Sequence, residues 1–153
     1  MADTYTQIYI QIVFAVQGRQ NLIHGNHQEE LNRYITGIIT HKDQKLLAIG
    51  GMPDHLHILI GLKPTIALSD LVRDIKANSS KFINDQRWVP GRFEWQAGFG
   101  GFSYSRSQID RVIQYILDQK QHHATRSFKE EYLALLKKFD VQYDDKYVFA
   151  WIE

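Results

Sequence analysis

Residues His55-Leu56-His57-Ile58-Leu59-Ile60 form a run that can only be satisfied in a particular way. In a strand, successive side chains point to opposite faces. Leu56, Ile58 and Ile60 then share one face, which suits a core. His55 and His57 share the other, side by side, where two imidazoles can grip one metal ion. A chain holding such a strand must build a sheet with one buried face, and must place something opposite the histidines.

The flanking sequence supplies the rest of that sheet. Ile8, Ile10, Ile12 and Phe14 alternate with Gln7, Tyr9, Gln11 and Val13, which is strand periodicity. From about His27 to Lys42, Leu31, Ile35, Ile38 and Ile39 recur at helical spacing. A short strand from Lys45 ends at Gly50-Gly51 and pairs as a hairpin with the histidine strand. Leu68, Leu71, Val72, Ile75, Ser79 and Phe82 line one face of a helix that runs to about Asp85, with Ser69 as its candidate cap. Phe93 to Gly98 is predicted as a strand that runs into the glycine-aromatic segment Phe99 to Tyr104. Gly98, Gly100 and Gly101 do not make a dinucleotide loop, because Ser103 stands where the third glycine belongs. Ser105 to Gln108 fits a capping box. It opens a helix predicted to reach about His123, with an apolar stripe of Ile109, Val112, Ile113 and Ile116. A polar stripe of Arg111, Tyr115, Gln119 and His122 runs beside it. A last helix spans about Phe128 to Phe139, with Tyr132, Leu135 and Leu136.

Strand, helix, strand, strand, helix, strand is the ferredoxin-like order. The fold class expected is α+β: a four-stranded antiparallel sheet with two helices on one face. The Tyr115 helix is the candidate cover for the other face, where Gln7, Tyr9, Gln11, His55 and His57 fall. The 153 residues read as one domain, with a core of about 5–139 and a tail of 140–153 that is either an extra strand or a docked segment.

Composition narrows the chemistry. The absence of cysteine excludes disulfides, thiolate metal sites and cysteine nucleophiles, and fits a reducing cytoplasm. No apolar run is long enough to span a bilayer, and the N-terminus lacks a secretion-signal pattern. A net charge of +1 gives no global attraction for nucleic acid, so DNA binding needs a local patch. Arg73, Lys76 and Lys81 on the second helix are the best candidates, with His122 as a further DNA contact; a solvated helix face is as ordinary an explanation for the three cations, and a solvated helix end is the more ordinary one for His122.

Two imidazoles make an incomplete site, since catalysis needs a third ligand and open positions. Gln119 lies one helical turn after Tyr115, so the two project together. If their helix crosses the open face, Gln119 can offer an amide oxygen and Tyr115 stands next to the metal. A tyrosine there is a sensible nucleophile on a phosphodiester, because a phosphotyrosine link conserves the bond energy for rejoining. The mixed nitrogen and oxygen donors suit Mg²⁺ or Mn²⁺.

Asp54-His55-Leu56-His57 resembles the His-hydrophobic-His signature of HUH endonucleases. Tyr115-Ile116-Leu117-Asp118-Gln119 is similar to the helix motif of the one-tyrosine single-strand transposases, the insertion-sequence-200-like family. Trp95 to Ser105 also resembles that family's signature. The resemblance covers roughly Tyr5 to Leu136. It implies a metal-dependent DNA transposase that cuts single strands near hairpins, attaches Tyr115 to the 5′ phosphate and leaves a free 3′ hydroxyl. Under it, His55, His57 and Gln119 are the metal ligands. It further implies a homodimer whose active sites are shared, the histidines of one subunit serving the tyrosine of the other. Two other readings stand beside it. One is a non-catalytic single-strand nucleic-acid binder, which would carry aromatics on its central strands where this chain has histidines. The other is a replication or mobilisation nickase with the same histidine pair.

Overall fold

The computed structural model describes residues 3–119 and 126–144. Its sheet contains β1 (Tyr9–Ala15), β2 (Lys45–Met52), β3 (His55–Gly61) and β4 (Gly100–Tyr104), in the order β2-β3-β1-β4 and antiparallel throughout. Helices α1 (Gly25–His41) and α2 (Leu68–Gln86) connect the strands, and α3 (Ile109–Leu117) and α4 (Phe128–Lys138) follow β4. This is the expected α+β architecture.

The two faces of the sheet are both covered. Ile12, Phe14, Leu56, Ile58 and Ile60 pack with Leu31, Ile35, Leu71, Val72 and Ile75 from α1 and α2 in the main core. On the opposite face, Ala48 and Leu59 meet Ile109, Val112 and Ile116 of α3. Val13, Ala15 and Phe102 meet Phe128, Leu135 and Leu136 of α4. α3, which carries Tyr115, packs mainly on the β2–β3 side, with Tyr9 and Tyr104 at the margin of its cluster. The last helix closes the β1–β4 side, which the sequence did not suggest.

Pro53 and Asp54 alone separate Met52 from His55, the terminal pair of the β2–β3 ladder. That tight turn fixes which face the histidines take, because a one-residue slip would turn both into the core. Irregularity is confined to Leu47, where the register shifts between Leu46 and Ala48.

The strand expected over Phe93–Gly98 does not form. The Phe93 amide donates to Asn84 Oδ1 at 2.7 Å and the Phe93 carbonyl accepts from Asn84 Nδ2 at 3.1 Å. Lys76 Nζ donates to the carbonyls of Gln96 and Gly98. With side chains taking these backbone groups, only the Val16–Trp95 bridge remains, and the edge strand starts later, at Gly100. Trp95 is nonetheless fixed, since its indole N–H donates to buried Ser79 at 2.9 Å.

The helix after β4 opens as expected. Ser105 and Gln108 form a capping box around a single 3₁₀ turn, and α3 follows it. α3 ends at Leu117, where the Asp118 amide donates to the Gln114 carbonyl; Gln119 is again helical, and the predicted end at His123 lies outside the described residues. His122, and the tail from 145 onward, lie outside the described residues. α4 begins at a second capping box, made by Ser127 and Glu130. Among the described residues, no helix is long and apolar enough to cross a membrane.

Candidate metal and nucleophile site

Six side chains converge on the α3/α4 face of the sheet. β1 contributes Gln11, β3 contributes His55 and His57, α3 contributes Tyr115, Gln119 lies just beyond it, and α4 contributes Glu131. All but half-buried Tyr115 are shielded from solvent. The four residues expected from the sequence are therefore brought together within one chain.

Glu131 is at the centre. His57 Nε2 lies 2.9 Å from its Oε1 and His55 Nε2 lies 3.4 Å from the same oxygen. The Tyr115 hydroxyl donates to Oε2, and Gln119 Nε2 donates to Oε2 at 3.3 Å. A carboxylate in a dry interior is tolerable only with such partners. Helical spacing puts Glu131 there, between Phe128 and Leu135 on the buried face of α4. Phe128 also stacks on His55, with ring centroids 4.3 Å apart.

Each imidazole is oriented from behind. His55 Nδ1 bonds Asp54 Oδ1 at 2.6 Å, which turns Nε2 inward, 3.2 Å from Gln119 Oε1. Burial opposes a charge on this ring, but Asp54 and Glu131 together outweigh it and raise the pKa to about 9. An imidazolium thus stands in a pocket of anionic and amide oxygens. Gln11 Nε2 sits 2.7 Å from His57 Nδ1, and Tyr104 donates to Gln11 Oε1 at 2.5 Å. An amide N–H donating to Nδ1 places the His57 proton on Nε2, where it bonds Glu131. Turning that amide over would reverse the tautomer and free Nε2 as a ligand.

The donor geometry fits a small divalent ion. His55, His57 and Glu131 each offer a ligand atom, all within 4.8 Å of one another. Octahedral ligation at about 2.1 Å separates neighbouring donors by roughly 3.0 Å. The spacings of 2.9, 3.2 and 3.4 Å among His57, Gln119, Glu131 and His55 are close to that edge length.

Tyr115 is held as a phenol. Burial, then the hydrogen bond to Glu131 and that carboxylate's charge, push its pKa well above the ordinary tyrosine range, against a smaller opposing effect of Arg126. Arg126 Nη2 donates to the Tyr115 hydroxyl at 3.2 Å.

The cations expected to bind DNA are not at this site. α2 lies on the other face of the sheet, and there Arg73 pairs with Asp70 and Asp74, and Lys81 with Asp85. Lys76 turns inward to the two carbonyls and lies 5.4 Å from the Phe14 ring centroid. Sequence reasoning missed Glu131, Gln11 and Arg126 as site residues. Glu131 did leave a signal, a charged residue three after Phe128 and four before Leu135 on the apolar face of a short helix.

Comparison with known proteins adds the family. A family model described as "Transposase IS200 like" matches residues 4–119. No curated protein matches the chain. Among solved structures, a candidate transposase of Deinococcus radiodurans R1 is similar, with a TM-score of 0.62 at 20% identity over 76% of this chain and 93% of that one. A REP-associated tyrosine transposase bound to a REP hairpin is also similar, with a TM-score of 0.56 at 15% identity over 76% of this chain and 68% of the other.

Proposed function

Because the chain belongs to the IS200-like transposase family, we propose that it cuts and rejoins single-stranded DNA through a covalent link to Tyr115. The observation that carries this reading is the convergence of the Tyr115 hydroxyl, two imidazoles and a carboxylate in one buried cluster. In the forward step the phenol oxygen bonds to phosphorus and the bond from phosphorus to the 3′ oxygen breaks. The phenol proton passes to Glu131, already its hydrogen-bond acceptor, and the leaving oxygen takes a proton from water. Attack by a 3′ hydroxyl on the phosphotyrosine reverses the step and rejoins a strand.

Mg²⁺ or Mn²⁺ is the cofactor these donors suit, held by His55, His57 and Glu131 with Gln119 in reach. Such an ion supplies charge neutralisation at the phosphate oxygens. Asp54 and Gln11 keep the imidazoles aimed, and Phe128 keeps water from one side. The substrate class is DNA carrying a hairpin, by analogy with the hairpin-bound neighbour.

The test incubates the protein with single-stranded hairpin DNA and Mn²⁺ and looks for a covalent adduct in denaturing gels. Tyr115→Phe should abolish the adduct while hairpin binding persists. Cleavage by the Phe variant would show that the nucleophile lies elsewhere. Homodimerisation belongs to the same proposal, with each site complete in cis. Mixed dimers of Tyr115→Phe and His55→Ala should then stay inactive; recovery in them would establish a shared site.

A further inference from the structure

A cavity of about 590 Å³ opens between α3 and α4, directly beside the Tyr115 hydroxyl. Its size lies within the range of ordinary ligand pockets, about 300–1,000 Å³. Arg111, Arg126 and Lys138 line it, together with Tyr104, Tyr115 and Glu131. Helical spacing explains the placement. Arg111 is one turn before Tyr115 on α3, and Lys138 is two turns after Glu131 on α4.

These cations differ from the ion-paired ones elsewhere on the molecule. Arg73, Lys81, Lys42, Lys63 and Arg92 are each bound to a carboxylate. Among the described residues, neither Arg111 nor Lys138 has an ion-pair partner; Lys138 lies 5.7 Å from the centroid of the Tyr104 ring. The one acid in the cavity wall, Glu131, is engaged by His57, Tyr115 and Gln119. An anion entering here would meet uncompensated positive charge on the way to the phenol oxygen.

The geometry points to this cavity as the path of the single strand at the scissile position, with Arg111 and Lys138 holding flanking phosphates and Arg126 the phosphate that Tyr115 attacks. The inference rests on Tyr115 as the nucleophile, and it places the DNA on the α3/α4 side of the sheet, away from the α2 cations. Arg126 is already within hydrogen-bond distance of the attacking oxygen, so a phosphate there would be contacted by both.

The test separates binding from chemistry. In the Tyr115→Phe background, with chelator present, oligothymidylate binding is measured by fluorescence anisotropy across a salt series. Each single-strand phosphate contact contributes about 0.7 to the slope of log K against log salt. Arg111→Gln with Lys138→Gln should flatten the slope by about 1.4, twice that contribution. Arg73→Gln with Lys81→Gln removes the same charge from α2 and should leave the slope unchanged. Thermal melting checks that both double variants fold. A wild-type slope in the first variant, or an equal loss in the second, overturns the assignment. A failure of Tyr115 as nucleophile would appear in the adduct experiment and leave these slopes untouched.

Discussion

Gly50 lies against the carbonyl of Ile116, so the missing side chain on β2 sets how closely α3 approaches the sheet. Gly50 also pairs with His57 across the β2–β3 ladder. A Cβ at this position would collide with helix backbone, which cannot swing away as a side-chain tip can. Gly50→Ala should therefore displace α3 and, with it, Tyr115. We expect a loss of about 1–3 kcal/mol in urea unfolding, as for other overpacked sites. Adduct formation should fall further than stability, by as much as about 100-fold, since ångström misplacement of a reacting group is that costly.

Glu131→Gln keeps the shape of the side chain and removes its charge. The amide offers one acceptor oxygen where the carboxylate offered two, so His57, Tyr115 and Gln119 cannot all keep their bonds. The expected cost in denaturant unfolding of the metal-free protein is about 1.5–3 kcal/mol, the range for hydrogen bonds to a charged group. Calorimetric titration with Mn²⁺ should show affinity reduced on the order of tenfold or more. With Glu131's charge gone, the His55 ring should titrate below its present value of about 9, observable by NMR of the chelated protein.

Gln11 touches neither Tyr115 nor Glu131 among its hydrogen bonds, which run to His57 and Tyr104. Gln11→Leu retains volume but leaves His57 Nδ1 without this partner. Orienting groups behind a metal-binding histidine are worth about 10–100-fold in affinity. Mn²⁺ binding should weaken by that factor while the fold, judged by circular dichroism, is kept.

Lys76 provides a pH test away from the site. Burial lowers its pKa to about 8 from 10.5. Between those values the unfolded chain holds the proton and the folded chain does not, so raising the pH through this window favours the folded state. Lys76→Met lacks that contribution and also loses the bonds to the Gln96 and Gly98 carbonyls. The stability gap between wild type and variant should widen from pH 8 to pH 10.5. A constant gap would show that the amine is not desolvated.

The sheet and its main core were legible because their periodicities are strict. Ile12 and Phe14, like Leu56, Ile58 and Ile60, sit where alternation puts them. His55, His57, Tyr115 and Gln119 were legible because strand and helix spacing decide which side chains share a face. Phe93–Gly98 was not, because the side chains of Asn84 and Lys76 take the backbone groups of Phe93, Gln96 and Gly98, and such long-range competition leaves no local periodicity. Glu131 was hidden for a related reason. A carboxylate on a short helix reads as solvated until α4 is known to lie on the sheet, and that docking depends on Phe128, Leu135 and Leu136 finding Val13, Ala15 and Phe102.

One carboxylate with an imidazole pair at one oxygen and a phenol at the other makes the two halves of the site thermodynamically inseparable. Whatever factor an ion at the histidines imposes on the protonation of Tyr115, the protonation of Tyr115 must impose on ion affinity, because coupling free energies are reciprocal. In the proposed reaction, covalent attachment of DNA removes the phenol proton and its bond to Glu131 altogether. Ion affinity in the adduct must therefore differ from that of the free protein, and the difference measures how strongly the two oxygens of Glu131 communicate.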